Sequence, residues 1–139
     1  MKSTDDLVNE ITKSENILDF LAENHVEMNT GGLPQYLEEW IQKKNISKAD
    51  VVRRSNLNRA YVYQIFLGRK YPSRDKVIAL AFGLRLSAEE TQKLLKQAGY
   101  RELYPRDPRD AMLLYAFCQE MSIINANQML YESNIDVLE

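Results

Sequence analysis

The sequence has little of what most functional sites are built from. One cysteine and one histidine occur in 139 residues. Cys118 alone allows no intramolecular disulfide and no cysteine-built zinc site, and His25 alone excludes a multi-histidine metal site. Five glycines and four prolines are too few for a collagen-like or linker-like chain. No apolar run approaches the roughly 18 residues that cross a bilayer. Met1-Lys2-Ser3-Thr4-Asp5-Asp6 lacks the basic-then-apolar order of a signal peptide. A Gly-rich phosphate loop, a nucleophile elbow and paired carboxylates in a plausible cleft are also missing. These absences point to a cytoplasmic protein, not membrane-bound and not an enzyme, with no cofactor and no metal. What is there is close to average: 45% hydrophobic and 27% charged residues, enough to fold a core.

The net charge of −2 hides a segregation. Residues 1–32 hold two lysines against seven acids, a balance of −5. Residues 33–102 hold 14 Lys or Arg against seven acids, +7, and residues 103–139 hold two arginines against six acids, −4. A basic centre between acidic ends suits a polyanion-binding module whose flanks have other work. The expected organisation is an acidic N-terminal helical arm (1–32), a basic domain (33–102) and a C-terminal helical hairpin packed on it (103–139).

The pattern predicts helix throughout, with no alternating strand or Asn-Gly hairpin turn. A helix over about 4–24 carries Thr4 as cap and Leu7, Ile11, Leu18 and Leu21 on one stripe, unless Ser14-Glu15-Asn16 splits it in two. Asn29-Thr30-Gly31-Gly32 breaks the chain. Pro34 suits the first turn of a helix ending near Asn45. Ser47, Asn58 and Ser73 cap the next three helices, which stop at Ser55-Asn56, Gly68 and Gly83. Ser87 with Glu90 makes a capping box for a fifth, ending at Gly99. After a proline-bearing joint at Tyr104–Pro108, Asp107 caps a sixth helix and Ser122 a seventh, ending near Asn134.

Ile46 to Ser73, ISKADVVRRSNLNRAYVYQIFLGRKYPS, puts two short helices either side of a three- or four-residue turn, the spacing of a helix-turn-helix. Asn56 suits the positive φ the turn needs. Leu57 plugs the turn, and Val52 and Val62 meet at the crossing. With Val62, Ile65 and Phe66 inward, 100° per residue leaves Ala60, Gln64 and Leu67 outward, flanked by Tyr63.

These residues, with the Gly68-Arg69-Lys70-x-Pro72-Ser73 loop, resemble the Xre family, the lambda-repressor-like helix-turn-helix proteins, over about residues 33–99. The resemblance implies an all-α, five-helix DNA-binding domain, here with an added N-terminal helix and C-terminal hairpin. It also implies that the residues opening the recognition helix, and those one and two turns on, read base edges. Here those are Arg59, Ala60, Tyr63 and Gln64. Lys48 stands where the family usually has a glutamine clamp on the DNA backbone. Asn56 replaces the common Gly, and Val52 the usual Ala. Tyr61 and Tyr63 are bulky for such a helix, and the sequence leaves open whether they help or hinder docking. Arg59 can donate two hydrogen bonds to guanine, and Gln64 can exchange two with adenine. Ser47, Lys48, Tyr61, Arg69, Lys70 and Arg74 are the expected phosphate contacts, aided by the amide groups at the helix start after Ser47.

A shift of 35 lays Arg74-Asp75-Lys76-Val77-Ile78-Ala79-Leu80-Ala81-Phe82 on Arg109-Asp110-Ala111-Met112-Leu113-Leu114-Tyr115-Ala116-Phe117. Leu86-Ser87 falls on Met121-Ser122, Leu94-Leu95 on Met129-Leu130 and Gly99 on Asn134. The last hairpin therefore reads as a second copy of the fourth and fifth helices, stacked on the first. Leu113, Phe117, Ile123, Ala126 and Leu130 would supply its apolar sides. Cys118, aligned with Gly83, and Trp40 read as packing residues, and His25 has no partner for ligation.

The expected function is sequence-specific binding of double-stranded DNA by a transcriptional regulator of a bacterium, phage or mobile element. A homodimer would span half-sites about 34 Å apart, paired through the N-terminal helix or the terminal hairpin, either of which could instead hold a protein partner. The alternative is an adaptor that binds a protein through the same scaffold, with the tyrosines as anchors.

Overall fold

A residue able to cap it stands before six of the seven helices among the described residues. The computed structural model describes residues 32–139. The helix expected over 4–24 lies outside the described residues. Among those described, the fold is all-α: α1 Leu33–Lys44, α2 Lys48–Ser55, α3 Arg59–Phe66, α4 Arg74–Gly83, α5 Ala88–Gln97, α6 Pro108–Cys118 and α7 Ile123–Glu132. Ser47, Asn58, Ser73, Ser87, Asp107 and Ser122 each accept a hydrogen bond from the backbone amide three residues on. Each such cap is worth about 1 kcal/mol. α1 instead starts after Gly32 with Pro34 in its first turn, where a missing N–H costs nothing.

Left-handed residues end or follow the helices: Asn45, Asn56, Gly68, Arg85, Gly99, Glu120 and Asn134. α4 ends at Gly83, as expected, but the left-handed residue that follows it is Arg85, at φ 55. The glycine serves packing: a Cβ there would stand 2.7 Å from the Val51 carbonyl oxygen and 3.0 Å from Ser55 Cβ. α2 thus lies against the end of α4 at a distance only glycine permits. In the same contact Val51 rather than Val52 is fully buried, with Val62 beside it at 0% exposure, while Val52 and Leu57 are half-buried against the core. Ser55 is buried too, its hydroxyl donating to the Val52 carbonyl and accepting from the Leu57 amide.

α4 is the central element, buried without a break from Val77 to Gly83. Such a helix carries no one-sided apolar stripe because every side is core. α2 and α5 pack on it, α1 bridges α3 and α5, α6 packs on α5, and α7 on α6. Trp40 is in this core, its indole N–H donating to Gln97 Oε1 at 2.9 Å.

The period of 35 recurs in the contacts. Arg74 forks onto Asp110 and donates to the carbonyls of Arg101 and Glu102. Arg109 forks onto Asp75 and donates to the carbonyls of Asp136 and Val137. Each copy's arginine therefore holds the other copy's aspartate and then its own tail. Gln92 pairs through both side-chain atoms with the backbone of Leu103, and Asn127 does the same with Leu138. Phe82 and Phe117 stack with ring centroids 4.1 Å apart. Like lies on like because equivalent side chains meet across the join.

Candidate nucleic-acid interface

α3 owes its position to its buried side. Val62, Ile65 and Phe66 are 0%, 1% and 5% exposed, and α1 and α2 hold them. The turn before it is made by Asn56 at φ 59, an angle Asn tolerates better than most residues because its short amide can bond locally. Asn58 then closes the first turn on the Tyr61 amide. The opposite side is left uncovered.

Arg59 and Ala60 are exposed at the start of α3, Tyr63 and Gln64 are partly exposed, and Leu67 is 64% exposed just past its end. The Arg59 guanidinium lies over the Tyr63 ring, 5.3 Å from its centroid. Cation–π attraction of this kind restrains a long side chain without consuming its N–H donors. The four residues assigned to base reading thus share one open surface.

The residues assigned to phosphate contact divide. Arg69 and Lys70 are exposed, and with Arg59 they form no ion pair among the described residues. Their amides donate to the Gln64 carbonyl, which folds their loop back over the end of α3. Tyr71 and Tyr100 fix its far side, donating to the carbonyls of Ala98 and Pro72; burial pushes the Tyr71 hydroxyl pKa up. Lys48 is partly engaged, 2.8 Å from Glu38 and 5.2 Å from the Phe66 ring centroid. Tyr61 is half-buried, packed against the core, with Lys76 over its ring at 5.9 Å, and burial raises its pKa as well. Arg74 is elsewhere: its guanidinium is spent on Asp110 and two carbonyls, and its side chain is 16% exposed.

The start of α2 also differs from expectation. Asp50 closes a capping box with Ser47, accepting from the Ser47 amide at 3.2 Å while its own amide donates to the Ser47 hydroxyl. The Ser47 amide is the chief reason the Asp50 carboxyl lies below its ordinary pKa. A resident carboxylate at that helix start offsets the positive end of the dipole, so the amides there are less available to a phosphate. Sequence reasoning missed this, although Ser47-x-x-Asp50 is a capping-box spacing. It also missed Lys76, in the first turn of α4 and beside Tyr61.

Among the described residues there is no cluster of three or more His, Cys, Asp or Glu able to hold a metal, and no helix long and apolar enough to cross a membrane.

Comparison with protein-family models, curated proteins and solved structures finds no match for this chain. The functional reading therefore rests on the residues and their geometry.

Proposed function

We propose that this chain is an Xre-type, lambda-repressor-like regulator that binds double-stranded DNA, with α2 and α3 as its helix-turn-helix and α1–α5 as the five-helix unit. One observation carries the reading. The outward side of α3 is open and bears Arg59, Ala60, Tyr63 and Gln64, while the loop beside it carries the exposed Arg69 and Lys70, in no ion pair among the described residues. A helix with free side-chain donors next to exposed cations suits a major groove with a phosphate strand at its edge. Arg59 and Gln64 are the base readers, Tyr63 the platform under Arg59, and Arg69, Lys70 and Lys48 the phosphate contacts. Lys48 would exchange Glu38 for a phosphate on binding. One such unit reads few bases, so the working form is a dimer on half-sites about 34 Å apart or a multiple of that distance.

Leu67 favours a second reading. At 64% exposure, beside Tyr63, it gives the same surface an apolar point that a protein partner could bury, as the adaptor alternative requires. Selection of bound duplexes from a random pool, followed by titration against salt, separates the two. A recovered motif with affinity falling steeply as ionic strength rises supports DNA binding. No enriched sequence and no salt dependence would overturn it in favour of the adaptor.

A further inference from the structure

Among the described residues, the contact that α2 makes with the end of α4 has no counterpart in the second copy. In the first copy α2 lies against Gly83, the last residue of α4. In the second copy the equivalent residue is Cys118, and it is exposed. Cys118 instead lines a groove of about 860 Å³, floored by Phe117, Met121 and Ile124 and bounded on one side by Arg53 and Arg54 of α2. Ile124 is 70% exposed there. By the logic of the repeat, a helix belongs beside α2 at this place, as α2 belongs beside Gly83.

We propose that the occupant is this chain's own segment 4–24. Three observations choose it. At helical spacing Leu7, Ile11, Leu18 and Leu21 would fall on one apolar stripe, which would match the apolar residues of the groove. The segment carries six acids against the single cation Lys13, whereas the groove has four cations, Lys44, Arg53, Arg54 and Arg85, against the carboxylates Glu89 and Glu120. Lys44 and Arg53 already bond Glu90 and Asp50, whereas Arg54 and Arg85 form no ion pair among the described residues and are the cations left for an acidic partner. The tether also reaches. α1 runs about 18 Å from Leu33 to Lys44, which lines the groove, and the eight residues 25–32 span up to about 27 Å when extended. The segment can therefore lie back along α1. The assignment stands apart from the DNA reading, since the groove contains none of the base-reading residues.

Because Cys118 is the single cysteine, disulfide trapping in the full chain tests this. Cysteines are introduced singly on the stripe (Leu7→Cys, Ile11→Cys, Leu18→Cys, Leu21→Cys) and on the opposite side (Asn9→Cys, Asn16→Cys). Under mild oxidation at least one stripe position should bond Cys118 within one chain, at least about tenfold faster than either polar-side position, because the tether is common to both sides and only docking separates them. Equal rates on both sides, or no bond at any position, would overturn the docking. A bond formed only between two chains would also overturn it, assigning the groove to a second copy's segment. A readout that leaves the stripe intact is alkylation of Cys118. Arg54→Gln should expose the thiol and speed its alkylation, and an unchanged rate would remove Arg54 from the contact.

Discussion

Arg74 is bonded to Asp110 through both terminal nitrogens, at 2.9 and 3.2 Å, with the Asp110 side chain only 2% exposed. Asp110 also accepts from the Tyr104 amide. A basic residue that opens a helix next to a basic loop thus serves the join between the two repeats.

Arg74→Ala should therefore cost stability and leave the DNA-binding electrostatics alone. Removing one partner of a buried pair strands the other charge, worth about 3–5 kcal/mol. Arg69→Ala and Lys70→Ala should hardly alter melting, yet each should reduce the slope of log K against log salt by about one. Thermal denaturation and salt titration of the three variants check this. A salt slope that drops for Arg74→Ala as it does for Arg69→Ala would return Arg74 to the phosphate surface.

Base reading makes a different demand. Arg59→Ala and Gln64→Ala should each lose about 1–3 kcal/mol on the preferred site, with little change on random duplex. Tyr63→Ala should resemble Arg59→Ala, because it removes the ring under the guanidinium. Equal losses on both kinds of DNA would show that these side chains do not discriminate between bases.

Gly83 and Cys118 are equivalent in the repeat but should respond oppositely. Gly83→Ala forces a methyl to 2.7 Å from the Val51 oxygen, and overpacking of this kind costs about 1–3 kcal/mol. Cys118→Ala, at a position that no described helix packs against as α2 packs on Gly83, should leave the melting temperature nearly unchanged. A neutral Gly83→Ala would mean that α2 can move off α4 freely.

Acid should destabilise the fold in a defined window. Burial pushes the carboxyls of Asp110 and Glu90 up, but hydrogen bonds outweigh it, from Arg74 and the Tyr104 amide for Asp110 and from Lys44 and Ser87 for Glu90, so both lie below their ordinary values. Groups depressed in the folded state stabilise it above their unfolded pKa of about 4, and that contribution fades as pH falls through the folded value. Melting temperature should hold from about pH 7 to 5 and fall below about pH 4, less steeply in Asp110→Asn. No fall between about pH 4 and 2 would show that these bonds do not favour the charged forms.

The sequence by itself determined where the described helices begin and end, because capping, proline and left-handed turns are local chemistry. Ser47, Asn58, Ser73, Ser87, Asp107 and Ser122 need only the next three residues to cap, and Asn56 needs only its own amide to tolerate positive φ. The repeat was legible for the same reason, as Arg74-Asp75 and Ser87 recur 35 residues on as Arg109-Asp110 and Ser122. Which side of α3 stays open was also readable, since Val62, Ile65 and Phe66 mark its buried side at helical spacing. What a charged side chain touches was not. Arg74 and Arg69 look alike in the sequence, and only the stacking of one hairpin on the other brings Asp110 to the first and leaves the second exposed. Gly83 reads as a helix stop, yet its role comes from Val51, 32 residues away. Such partners are settled by packing across the fold, where burial and distance decide which charge is consumed and which remains for a ligand.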